Sequence, residues 1–290
     1  MAEKVSVYQI VTDRILDALK DGVVPWQRPW KDGGRHVNLK SKKAYRGINQ
    51  LLLDLTAMSE GYTSPYWLSF KQAKEMGGQV RKGEKSTLIT FWSMIDKDKS
   101  DPDSEKFRLL RYYRVFNVAQ VDGLEDKIPS KSNDQAFDPI ETAEAIWRGF
   151  ENPPVLTHGG DRAAYAPSLD TIMMPDHKQF VNPESYYSTL FHEAAHSTGH
   201  ATRLSREGIT KLGAFGTDPY AKEELIAEIT AAFLNAECGI IDSTIDNTTA
   251  YLDGWRRKLT ADPKLIVQAA GQAQKASDHI LGIKWDKEAS

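Results

Sequence analysis

Apolar residues recur along this chain in two rhythms, and the switches between them divide it into helical and extended segments. A 3.6-residue rhythm marks the opening segment, which ends near Gly22, and the segment from Leu51 to Met58. It returns in Tyr187, Leu190, Phe191, Ala194 and Ala195, and again in Ile229, Ala232, Phe233 and Leu234. In the tail, Trp255, Leu259, Leu265, Ile266, Ala269, Ala273 and Ile280 predict two closing helices around the Asp262-Pro263 break. Extended runs lie between. Thr87 to Met94 and Phe107 to Val118 read as strands separated by an Asp-rich loop from Asp96 to Lys106. Arg162-Ala163-Ala164-Tyr165 and Thr171-Ile172-Met173-Met174-Pro175 read as strand, turn, strand, and the proline-ended strand is placed at a sheet edge, where an extended peptide could pair with it.

Punctuation agrees with rhythm. Ser69-Phe70-Lys71-Gln72 forms a capping box that opens a short helix stopped by Gly77-Gly78. Asn182-Pro183-Glu184 provides a cap, a proline at the first helical position and an acid in the first turn, with Gly199 as the stop. The stretch 123–139 is polar and includes Pro129, Ser130, Ser132, Asn133 and Asp134, which predicts a linker. The chain is therefore expected to be α+β with two domains. Residues 1–122 form a sheet with helices on one side, and residues 140–290 are mainly helical with a small sheet.

Composition narrows the class without choosing it. At 290 residues, with 40% hydrophobic and 27% charged, the chain is ordinary for a globular protein. No apolar run approaches the length of a membrane span, and the first residues enter a helix rather than a signal segment, so a cytoplasmic protein is expected. The single Cys238 excludes an internal disulfide and any zinc site built on cysteines. Lys82-Gly83-Glu84-Lys85-Ser86 lacks the upstream glycine of a phosphate loop.

Charge is distributed unevenly. Residues 1–130 hold 22 Lys and Arg against 17 Asp and Glu, whereas the remainder holds 15 against 23. Between residues 20 and 95, basic side chains are interleaved with aromatics, as single-stranded nucleic acid requires: phosphates want cations and unstacked bases want flat apolar faces. The candidates are Trp26, Arg28 and Trp30 in a Pro-bounded loop, Lys43, Tyr45, Arg46 and Asn49 in a polar loop, Trp67 and Lys71, and Arg81, Lys82 and Lys85 in a turn. Arg108, Tyr112 and Arg114 share one strand face, while Arg111 and Tyr113 point to the other.

The second half carries metal chemistry. His192-Glu193-Ala194-Ala195-His196 places two imidazoles on one helix face, one turn apart, so both can reach one tetrahedral ion with Glu193 beside the water in its open position. A third protein ligand is required. His200 lies beyond the helix-stopping Gly199, and position 202, where a third histidine would follow, is Thr202. Glu224 is assigned as ligand and Glu228, on the same helix face, as the residue orienting a liganding histidine, a spacing that resembles zincins with a glutamate third ligand; Glu223 and Glu228 remain alternatives for the ligand. Zinc is the expected metal, and manganese or cobalt would fit the same donors. Tyr220, Tyr186, Arg203 and His200 are candidate donors to a transition state.

Several separated motifs together resemble the ArdC-type antirestriction proteins. Val24-Pro25-Trp26, Tyr45-Arg46-Gly47-Ile48-Asn49, Pro65-Tyr66-Trp67, the Gly77-Gly78 to Lys85 turn and Val115-Phe116-Asn117 look like their N-terminal domain. His192 to His200 with Arg203-Leu204 and Glu223 to Glu228 looks like their zincin-like C-terminal domain. The resemblance implies a conjugative-plasmid protein that binds single-stranded DNA, protects incoming DNA from host restriction and carries a metalloprotease-type centre directed at DNA-associated protein. The alternative is a non-enzymatic shield in which the metal stabilises the fold.

Overall fold

The computed structural model describes residues 5–26, 35–97, 105–129, 139–210, 218–240 and 249–284. Helix α1 (Val7–Lys20) starts at Ser6, whose side chain accepts from Gln9 N, and buries Val11, Ile15 and Leu19. After strand β1 (Val37–Asn38), helix α2 (Ile48–Glu60) runs between Gly47 and Gly61, both at positive φ. Strand β2 (Tyr66–Leu68) leads into α3 (Phe70–Glu75), which opens on the expected capping box of Ser69 and Gln72. Strand β3 (Gln79–Val80) precedes the long hairpin of β4 (Thr87–Asp96) and β5 (Lys106–Asn117), and β6 (Val121–Asp122) returns to pair with β3.

The main sheet has the order β1-β2-β5-β4, and its hairpin is longer than the rest of it. Strand β2 meets β5 only at Asn117 and Phe116, whereas β4 and β5 stay in register from Thr87↔Val115 to Asp96↔Lys106. Alternation divides the hairpin's base between two cores. Leu88 and Leu110 join α1 and α2, while Ile89 and Val115 join Tyr45, Leu53 and Trp67, so the sheet is covered on both faces rather than one. From Phe91 outward the ribbon emerges from that cover.

In the second half, α4 (Pro139–Gly149) precedes a three-stranded sheet of β7 (Val155–His158), β8 (Ala164–Ala166) and β9 (Thr171–Met174). Its order is β7-β9-β8, with β7 parallel to β9 and β8 antiparallel. The proline-ended strand expected at an edge is therefore the central one. Strand β7, which the alternation did not disclose, takes its outer side. Helices α5 (Pro183–Ser197), α6 (Glu207–Thr210), α7 (Asp218–Cys238), α8 (Thr249–Ala261) and α9 (Leu265–Ile280) complete the chain.

Helix α7 is buried on two sides. Leu225, Ile226, Ile229 and Phe233 enter one core, and Ala231, Leu234 and Cys238 enter the other, as expected of a helix apolar around most of its circumference. The first of these cores crosses the predicted boundary: Val11, Ile15, Leu51 and Leu52 pack in one cluster with Leu225, Ile229, Trp255 and Ile266. Polar bonds reinforce the junction. Gln274 Oε1 accepts from Gly47 N at 2.8 Å, Pro263 O accepts from Thr12 Oγ1 at 2.8 Å, and Arg46 pairs with Asp278. The boundary expected at residue 122 falls inside the first half's packing, because Leu124 is buried with Ala73, Val80 and Val118. Of the proposed linker, 130–137 and residue 138 lie outside the described residues. Among the described residues no helix is long and apolar enough to cross a membrane.

Candidate functional site

Helix α5 holds the two histidines because its other sides are fixed. Asn182 caps it, accepting from Ser185 N at 2.8 Å, and Tyr187, Leu190, Phe191, Ala194 and Ala195 are buried along it. His192 and His196 then emerge one turn apart, towards α7. Their Nε2 atoms are 3.1 Å apart, Glu224 Oε2 is 3.6 Å from that of His192, and Glu224 Oε1 is 3.5 Å from that of His196. Two donors at about 2.0–2.1 Å from a tetrahedral ion would be about 3.3 Å apart, so this triangle has the dimensions of one face of such a site. Among the described residues these three form the group able to hold a metal, with ligand atoms within 4.8 Å of one another.

The field at the triangle favours positive charge. Burial works against an imidazolium at His192, yet Glu224, Glu193 and Glu228 outweigh it and raise its pKa. Burial likewise opposes charge on Glu224, but the two histidines draw its carboxyl down to about 2. A divalent cation meets the same field, so the donor set and the electrostatics both fit one.

The carboxylate that faces a histidine from behind is Glu223, not Glu228 as expected. His196 Nδ1 is buried without a hydrogen bond and lies 3.5 Å from Glu223 Oε1. A short approach would place the ring's proton on Nδ1 and leave the Nε2 lone pair for a metal. Glu223 is held in turn by Arg206, which donates through Nε at 3.0 Å and also reaches Thr198 Oγ1 and Ala195 O at the end of α5. Burial would raise the Glu223 pKa, but Arg206 and His196 lower it. Gly199 allows this close approach: a Cβ there would lie 2.5 Å from Ile209 Cγ1 and 3.1 Å from Arg206 Nη2. Its role is space rather than the helix-ending conformation anticipated.

Glu228 has a different task. It accepts from Trp26 Nε1 at 2.8 Å and from Tyr251 OH at 2.6 Å, with burial raising its pKa against those two bonds. Of the four candidate donors, Tyr220 is the one at the triangle. It hydrogen-bonds Glu224, and burial with the nearby charges of Glu224 and Glu193 pushes its hydroxyl up to about 12. Tyr186 stacks on His177 at 3.9 Å and bonds His158. Arg203 is bound to Asp170, Tyr165 and Ser197 O, and His200 turns to Thr202.

The predicted nucleic-acid residues separate into two sets. Trp26 and Trp67 are 1% and 0% exposed and Tyr45 is buried, so none offers a ring to a base. Trp67 donates to His36 Nδ1, Tyr45 accepts from Asn38, and Trp26 reaches Glu228. Asn49 clamps the hairpin through Thr90 N and O, and Arg46 is committed to Asp278. These residues hold the first half together and join it to the second. Lys43, Lys71, Lys82 and Lys85 are exposed, while Arg81 is engaged by Glu84 and Asp122. Arg28 and Trp30 lie outside the described residues. Apart from Phe70 on α3, the exposed rings among the described residues are on the outer hairpin, in Phe91, Trp92, Phe107, Tyr112 and Tyr113.

Comparison with known proteins shows the same two parts in the same order. Residues 5–117 match the N-terminal domain of anti-restriction factor ArdC, and residues 141–272 match a zincin-like metallopeptidase family. Two crystal structures of antirestriction ArdC from plasmid R388, one metal-free and one Mn(II)-bound, superpose with a TM-score of 0.78 each. They are 38% and 37% identical, covering 95% and 96% of this chain and 97% and 98% of theirs. The uncharacterized protein y4eC of Sinorhizobium fredii is 34% identical over 97% of this chain and 94% of its own length. A DNA primase TraC of Escherichia coli is 35% identical over 98% of this chain, which spans only 20% of that protein. With both halves matched in order and full-length relatives above 30% identity, the chain belongs to the ArdC antirestriction family, an ArdC-type N-terminal domain joined to a zincin-like metallopeptidase domain.

Proposed function

We propose that this chain binds single-stranded DNA, protects incoming conjugative plasmid DNA from host restriction in the cytoplasm, and cleaves protein associated with that DNA. The observation that carries the peptidase half is the triangle of His192 Nε2, His196 Nε2 and Glu224 with Glu193 on the same helix turn. These three residues would hold the metal, for which zinc is the first choice and manganese or cobalt the substitutes. Once bound, a divalent ion supplies a Lewis acid that polarises a carbonyl and acidifies a water.

The remaining chemistry belongs to the chain. Glu193 takes the proton of the attacking water and returns it to the leaving amine, a role its place beside His192 suits. Tyr220, whose hydroxyl stays protonated far above neutral pH, donates to the oxyanion that forms. Glu223 and Arg206 hold the His196 ring.

Glu193→Ala tests the mechanism against a metal that only supports the fold. Antirestriction, proteolysis and metal content are measured side by side on the full chain. Loss of proteolysis and antirestriction with metal retained is the expected result. Antirestriction that survives with metal in place would reduce the protein to a non-enzymatic DNA shield.

A further inference from the structure

Among the described residues, the outer hairpin gathers most of the rings that this fold leaves in water. Phe91 is 39% exposed, Tyr112 46% and Tyr113 43%, although rings of this size are ordinarily buried. They sit among arginines. Arg111 is directly opposite Phe91 in the register and shares its face with Tyr113, which meets Phe91 edge-on at 5.3 Å; Arg114 adjoins Tyr112 on the opposite face, where Arg108 also lies beyond the buried Leu110. No acidic residue occurs in 85–95 or 107–117. The hairpin's acids are confined to its far end, where Lys106 pairs with Asp96 and Lys97 with Glu105. Among the described residues no carboxylate pairs with Arg108, Arg111 or Arg114.

We infer that single-stranded nucleic acid wraps this arm, its bases stacked on Phe91 and Tyr113 on one face of the ribbon and on Tyr112 on the other, and its phosphates held by Arg111 on the first face and by Arg108 and Arg114 on the second. The inference rests on the proposal that the chain binds single-stranded DNA, and names the surface. Two features select this occupant. Cations between rings suit a polyanion whose bases are unstacked and disfavour an acid-free apolar partner. A stiff duplex buries its bases and offers these rings nothing to stack on, so single strands are preferred.

The test uses the full metal-loaded chain and a labelled oligothymidylate titrated at several salt concentrations, with the matching duplex for comparison. The triple variant Arg108→Ser, Arg111→Ser, Arg114→Ser is expected to bind at least tenfold more weakly at low salt. Its log affinity against log salt should flatten by about 2, since each phosphate contact on a single strand contributes about 0.7. Phe91→Leu with Tyr113→Leu should weaken binding at least fivefold and leave that slope unchanged, because stacking releases no counterions. Melting temperature and metal content serve as folding controls. A halogenated-uracil oligonucleotide cross-linked to the wild-type chain gives a second readout, expected in the peptides of β4 and β5. Wild-type affinity and slope in both variants, with loss instead in Lys71→Ser, Lys82→Ser, Lys85→Ser, would overturn this surface and keep DNA binding. A wild-type chain that binds no single strand would overturn DNA binding itself.

Discussion

Trp26 Nε1 and Glu228 Oε2 are 2.8 Å apart although 202 residues separate them in sequence. The bond joins the end of the first segment of the N-terminal half to α7, one helical turn beyond Glu224. Trp26→Phe keeps a buried aromatic ring but removes the donor and part of the indole's volume, leaving a buried carboxylate with Tyr251 alone. A loss of about 1–3 kcal/mol is expected from urea unfolding. Tyr251→Phe should cost a similar amount, and the double variant less than the sum, because the two donors share one oxygen.

Adjacent glutamates on α7 should separate cleanly by metal affinity. Glu224→Ala removes one of three donors and is expected to abolish tight binding. Glu223→Ala leaves the donors and frees the His196 ring, so a loss of about 10–100-fold is expected. Competition against a coloured chelator measures both. Equal effects would mean that Glu223 enters the coordination sphere.

Tyr220→Phe addresses the transition state. If its hydroxyl donates only to the developing oxyanion, kcat for a cleaved protein should fall about 10²–10³-fold with KM and metal content unchanged. A change confined to KM would place the hydroxyl on bound substrate instead.

Acid stability should report on Asp170. Burial alone would raise its pKa, but Arg203 and Tyr165 more than offset that, so the folded value lies below the usual carboxylate range. Its contribution is therefore complete above the unfolded value of about 3.9 and is lost as pH falls through the lower folded value. Asp170→Asn, which leaves the buried Arg203 cation to the carbonyls of Ser197 and Asn152 without a carboxylate, should lower the urea midpoint by an amount equivalent to about 1–3 kcal/mol at pH 6. The gap between variant and wild type should begin to narrow below about pH 4 and close only once the pH has fallen through the lower folded value.

Local chemistry was legible in the sequence, and long-range commitment was not. The capping box at Ser69, the cap at Asn182 and the buried stripe of α5 depend on residues within a few positions, and each forms as expected. The placing of His192, His196 and Glu224 together followed from i,i+4 spacing on one helix and a choice among three acids on another. Trp26, Tyr45, Trp67 and Arg46 were misread because a tryptophan beside cations has the same local signature in a binding loop as in a core whose partners come from 200 residues away. The outer hairpin is hard to read from sequence for the opposite reason. Alternating Arg and Tyr on β5 was visible, but only pairing shows that β2 stops at Phe116 and leaves the rest of the ribbon uncovered.

The cluster uniting Val11, Leu51 and Leu52 with Leu225, Trp255 and Ile266 also bears on where this chain can be cut. Separating the halves near residue 130 would leave two greasy faces, each designed for the other, and neither fragment would be expected to stay monomeric. The smallest portable unit is then the pair. A stretch aligned over 98% of this chain, set within a primase of which it makes up a fifth, is what a module that travels only as a whole would leave behind.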